Sequence, residues 1–144
     1  MVKKIEHIGI AVKNMKDSNA LFEQLLGKPF YKMEAVESEG VKTSFFETGG
    51  SKIELLEATS EDSPIAKFIE KRGEGIHHIA FDVEDIELEM QRLKKQGFRL
   101  LNEKPKRGAD NKWVCFVHPK SANGVLVELC QEITNDKKQI PNLK

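Results

Sequence analysis

Apolar residues recur along the chain with two periods. In "IEHIGIAV" they alternate, which predicts a strand over Lys4–Val12 with Ile8, Ile10 and Val12 on one face and His7, Gly9 and Ala11 on the other. Met15, Leu21, Phe22, Leu25 and Leu26 then follow a helical stripe, with Asn14 as N-cap and Gly27 as stop. "KTSFFETGGSKIELLE" reads as a hairpin turning at Gly49-Gly50. "SPIAKFIEKRG" reads as a short helix capped by Ser63, with Pro64 at its first position and Gly73 at its end.

The pattern then starts again. "GIHHIAFDV" is a strand, Asp85 caps a helix with Ile86, Met90 and Leu93 on one stripe, and Gly97 terminates it. "KWVCFVH" and "GVLVELCQ" follow as strands around the turn-rich "PKSANG". Aligning the halves sets His7 on His78, Ile8 on Ile79, Val12 on Val83 and "IELLE" on "VELCQ". Two diverged copies of a β-α-β-β-β unit are therefore expected, an α+β fold of two tandem βαβββ modules forming a curved sheet around one groove. Module 1 covers about 1–58, a connecting helix about 63–73, and module 2 about 74–132, all one domain over 1–132. The tail 133–144 is polar, aperiodic and expected to be poorly ordered.

The register also selects chemistry. Ile53 and Leu55, and then Val127 and Leu129, belong to the core, leaving Glu54 and Glu128 on the opposite faces. Each copy thus offers one His and one Glu at matching positions. If the copies pair about a pseudo-two-fold axis, His7, Glu54, His78 and Glu128 converge. Two neutral imidazoles and two carboxylates suit a divalent cation and balance its charge. Four protein ligands leave an octahedral ion two positions for substrate or water, and Gly9 and Ala80 leave room beside the histidines. His77 falls on the other face and is read as structural, and His118 as a turn-capping residue.

Composition narrows the partners. The 144 residues hold 23 Lys+Arg and 23 Asp+Glu, which gives no electrostatic case for nucleic acid or an anionic membrane. No apolar run approaches a membrane span, and the first residues lack a signal peptide's apolar region, so a cytoplasmic protein is expected. Cys115 and Cys130 then read as reduced, buried thiols.

"IEHIGIAV", "IELLEATSEDSPIAKFIEKRGEGIHHIAFDV", "EKPKRGA" and "HPKSANGVLVEL" together resemble the vicinal oxygen chelate superfamily, built from paired βαβββ modules. Within it the similarity is greatest to the methylmalonyl-CoA epimerases, from about Lys4 to Gln131. That resemblance implies metal ligands at His7, Glu54, His78 and Glu128, the set the register had selected. The metal identity stays open among Co, Mn, Ni, Zn and Mg. It also implies an acyl-CoA substrate whose α-proton is removed and returned, with Glu128 as a catalytic base. Some epimerases carry a Glu two residues after the "GV" of the third strand, where "EGVKTSFF" has Thr43. Either another residue is the second acid/base group, with Glu54, Lys42 and Lys112 the polar candidates, or the second transfer uses water, or the activity differs. Lys106 and Arg107 are substrate-binding candidates for CoA phosphates, with Lys104 beside them, and Lys120 for the substrate carboxylate. A homodimer is expected, as is common in the superfamily. The alternatives are a glyoxalase I-type lyase or isomerase on a glutathione hemithioacetal, an extradiol dioxygenase, which the extra ligand Glu54 argues against, and a metal-free binding protein of the same fold.

Overall fold

The computed structural model describes residues 1–134. Among these are eight strands and three α-helices: β1 Val2–Ala11, α1 Met15–Leu26, β2 Lys32–Val36, β3 Val41–Glu47, β4 Lys52–Ala58, α2 Pro64–Arg72, β5 Gly75–Val83, α3 Ile86–Lys95, β6 Lys106–Gly108, β7 Lys112–Val117 and β8 Val127–Glu132. This is the expected α+β sequence of two βαβββ modules.

By contact the chain divides into two units whose boundaries fall just before the two histidines of the register. One runs from His7 to His77; the other joins Met1–Glu6 to the described residues from His78 onward. Residues 1–6 run beside β5, where the Glu84 N–H donates to the Met1 carbonyl and Lys3 pairs with Asp82. Helix α2 belongs to the 7–77 unit, because Ile65 packs on Ala11 and Leu56.

The 7–77 unit has the strand order β2-β3-β4-β1, with β1 parallel to β4 and the other pairs antiparallel. The Asn14 side chain accepts from the Asp17 N–H, and α1 ends at Gly27 in the left-handed conformation (φ 77°) that a residue without Cβ adopts freely. Helix α1 covers the sheet face carrying Ile10, Val12, Phe46, Ile53 and Leu55. Two of the five residues of its expected stripe do not pack: Met15, Phe22 and Leu26 join the core, while Leu21 and Leu25 are 60% and 70% exposed. The buried position between turns is instead Asn19, whose side-chain oxygen accepts a 2.6 Å bond from Ser44 on β3. Ser63 caps α2 and Pro64 opens it, as the sequence predicts.

The other unit repeats the layout as β1-β5-β8-β7-β6, with β5 parallel to β8. Helix α3 sets Ile86, Met90 and Leu93 against Val83, Trp113, Cys115, Val117 and Leu129. Its N-terminus is capped by Asp85, and the Ile86 N–H donates to the Gln131 side chain. Ile133 joins this core, its N–H bonded to the Asn111 carbonyl. Residues 135–144 of the expected tail lie outside the described residues.

Two edge strands escape a reading by apolar period. β2 carries "KMEAV" and β6 only "KRG", and each is held by its partner, β3 or β7, rather than by an apolar face of its own. Lys106 and Arg107 thus lie on an edge strand. Ala11 and Ala80, expected opposite the core, are fully buried because that face is packed too: Ala11 with Leu56 and Ile65, Ala80 with Val114, Cys130 and Phe116.

Candidate active site

Strand register decides which side chains share a face. In the 7–77 unit Glu54 on β4 lies opposite Gly9 on one side and Phe45 on the other. His7, two residues before Gly9, turns to the same face, and its Nδ1 is 3.1 Å from Glu54 Oε2. In the second unit Glu128 on β8 lies opposite Ala80 and Phe116. His78, two residues before Ala80, brings its Nε2 within 3.1 Å of Glu128 Oε1. All four side chains are buried, each leaving 4–6% of its residue exposed. The four expected residues thus form two pairs, one within each unit.

The two environments match. Each Glu faces a residue with little or no side chain, Gly9 or Ala80, and on its other flank a phenylalanine. The His78 ring meets the edge of Phe116 at 6.0 Å. An isolated carboxylate would not be buried so deeply without a partner cation or donors.

The spacing fits a divalent ion. Two ligands each ~2.1 Å from one ion and at right angles are about 3.0 Å apart, close to the 3.1 Å of both pairs. Nitrogen and carboxylate oxygen together suit Mg, Mn, Co, Ni or Zn. The nearest thiol stays out of the set: Cys130 shares a packed cluster with Ala80 and Phe116, and burial pushes its thiol far above the ordinary range.

The remaining predicted residues fall differently. Lys106 and Arg107 are consecutive on β6 and so face opposite ways. The Lys106 ammonium lies 5.8 Å from the Phe116 ring centre, on the face of Glu128, whereas Arg107 stacks over Trp113, on the side packed by α3. Lys120 is exposed on the short 3-10 turn Pro119–Ser121, where its N–H donates to His118 Nδ1, the capping role expected of His118. Lys42 lies opposite Glu57 and thus on the face away from Glu54, because it neighbours Thr43 in the strand. Lys112 shares the face of Val114 and Phe116 but pairs with buried Glu6 at 3.8 Å.

The reading by apolar period missed Lys32 and Glu34. Both lie on β2, opposite Phe45 and Thr43, hence on the face of Glu54. Lys32 Nζ is 4.6 Å from the Phe45 ring centre and 3.7 Å from Glu34. The signal was the alternation of "KMEAV", too short and polar to stand out.

Paired βαβββ modules with a buried His–Glu pair in each offer nitrogen and oxygen donors of the kind that suit a divalent cation. A family model, Glyoxalase/Bleomycin resistance protein/Dioxygenase superfamily, matches residues 6–116, and the chain belongs to that superfamily. The ethylmalonyl-CoA/methylmalonyl-CoA epimerase of Cereibacter sphaeroides is 42% identical over 133 residues, covering 91% of this chain and 99% of that one. The uncharacterized protein YqjC of Bacillus subtilis is 42% identical over 130 residues, 90% of this chain and 93% of its own. A solved Streptomyces coelicolor methylmalonyl-CoA epimerase variant, in complex with 2-nitronate-propionyl-CoA, superposes with a TM-score of 0.87 at 33% identity, covering 93% of this chain and all of that one. By these relatives the chain is an enzyme of the racemase/epimerase class. No helix among the described residues is long and apolar enough to cross a membrane.

Proposed function

We propose that this chain is a divalent-metal-dependent epimerase of methylmalonyl-CoA, with His7, Glu54, His78 and Glu128 as ligands of one ion. The observation that carries the reading is the repeated buried His–Glu pair, with the same 3.1 Å separation and the same small-residue and phenylalanine flanks in each unit. The epimerase relatives supply the substrate. Bound there, the ion would supply Lewis acidity toward the thioester carbonyl and the carboxylate.

The chain's own residues do the rest. Glu128, as carboxylate, takes the proton α to the carbonyl, and the C–H electron pair passes into the thioester enolate. Gly9 and Ala80 present no side chain larger than a methyl beside the two carboxylates. Phe45 and Phe116 flank them with apolar surface, which lowers the local dielectric and strengthens the charge interactions of the reacting groups. Lys106, Arg107 and Lys120 are the cations for the anionic parts of the CoA thioester. The reading extends to a cytoplasmic homodimer. The two free, buried cysteines agree with a reducing compartment, and the exposed Leu21–Leu25 stripe of α1 with a partner surface.

The test is α-proton exchange of methylmalonyl-CoA in deuterated water, with interconversion of the epimers followed in parallel. Both should proceed, stop with a chelator and return with added Co or Mn, and the glutathione hemithioacetal of methylglyoxal should turn over poorly. Rapid hemithioacetal turnover with an inert CoA ester would reverse the assignment.

A further inference from the structure

Epimerisation needs a proton delivered to the face of the enolate opposite the one that lost it, so one base is not enough. We propose that Glu34 is the second proton-transfer residue. This deepens the epimerase reading above and rests on it.

The placement comes from register within the 7–77 unit. Glu34 lies directly opposite Thr43 on β3, and Thr43 and Phe45 share a face. Phe45 in turn lies opposite Glu54. The face that presents His7 and Glu54 therefore continues across Phe45 and Thr43 to Glu34. The one β3 carboxylate, Glu47, is taken at the hairpin end by the Gly50 N–H and Lys28. Thr43, 1% exposed, offers a hydroxyl that does not act as a base near neutral pH without activation. Glu34 thus supplies the carboxylate that this stretch of the face otherwise lacks. Its side chain keeps 36% exposure, so it can exchange its proton with water between turnovers. Lys32 acts as its positioning residue, lying over the Phe45 ring with its ammonium 3.7 Å from the Glu34 carboxylate.

The second unit sharpens the assignment. The residue opposite Val114, the counterpart of Thr43, is Lys106. At equivalent places one copy carries a carboxylate and the other an ammonium, so the two cannot do the same chemistry.

The step balances. Glu128 leaves the deprotonation as the carboxylic acid. Glu34, starting protonated, gives its proton to the α-carbon, the enolate pair forms the new C–H bond, and Glu34 ends as carboxylate. In the reverse direction the roles exchange.

Each epimer is supplied separately in deuterated water to Glu34→Gln, Glu34→Asp, and Glu34→Gln combined with Thr43→Glu, with Co binding measured by titration calorimetry. Glu34→Gln should bind Co as the wild type does and keep deuterium exchange from the epimer that Glu128 deprotonates. Its interconversion should fall ~10²–10⁴-fold. Glu34→Asp should fall less, and Thr43→Glu, returning a carboxylate one strand nearer Glu54, should recover part of the loss. Exchange and interconversion falling together, or neither changing, overturns the proposal while leaving the epimerase reading intact. A wild type that neither exchanges nor interconverts the CoA ester overturns both.

Discussion

Glu54→Gln and Glu128→Gln form a matched pair, because the internal repeat makes each the control for the other. Each glutamate is buried to within 6% of full, 3.1 Å from its own histidine, and flanked by one small residue and one phenylalanine. Gln keeps the shape and one coordinating oxygen in both. The folding cost of losing the charge-assisted contact, ~1.5–3 kcal/mol, and the loss of ligand charge should therefore be nearly equal at the two sites. What differs is the role of base, given to Glu128 alone. Its removal should cost a further ~10²–10⁴-fold in interconversion, or about 2.7–5.4 kcal/mol of transition-state stabilisation at ~1.36 kcal/mol per decade. The assay is epimer interconversion at metal concentrations where both variants are saturated, with urea unfolding of the apoproteins run alongside. Similar stabilities with a gap of at least ~10²-fold in rate would support the division of roles. Equal rate losses would refute it and leave Glu128 as a ligand only.

Three further outcomes follow from the packing. Leu55→Ala removes a fully buried side chain from the α1 core and should lower the unfolding free energy by ~2–5 kcal/mol, read from the urea midpoint at unchanged slope. Glu89 is held below the usual carboxylate range first by its bond from Arg92 and then by the Met1 ammonium, against the opposing effect of burial. Its contribution is present above its unfolded value and lost as pH falls through the folded one, so the stability gap between wild type and Glu89→Gln should be wide at pH 7 and close toward pH 3; a constant gap would contradict this. Burial pushes the Cys115 thiol up to about 11 and that of Cys130 higher still, so neither should react with a disulfide reagent at pH 8 until denaturant is added.

How much of this was legible in the sequence depends on where each residue gets its signal. The helices carried their own caps, Asn14, Ser63 and Asp85, and the two His–Glu pairs followed from strand period and repeat alone. Edge strands carry no such signal: β2 and β6 are short and polar, and what makes them strands is the backbone of β3 and β7. Missing β2 hid Lys32 and Glu34. Within β6 the two-residue period sends Lys106 and Arg107 to opposite faces, which spacing in so short and polar a segment does not announce. Leu21 and Leu25 fit a helical stripe by spacing, but the packed stripe is narrower and runs through Met15, Asn19, Phe22 and Leu26.

The correspondence between Glu34 and Lys106 has a consequence for descent. A chain of one module would carry one histidine and one glutamate, and any second copy paired with it would be bound to identical side chains. Fusion after duplication removes that bond. A substitution opposite Thr43 no longer forces the same substitution opposite Val114, and one half is free to keep an acid where the other gains a cation. A methylmalonyl thioester has no two-fold symmetry of its own, and a fused pair is the simplest ancestry from which an asymmetric site could be drawn.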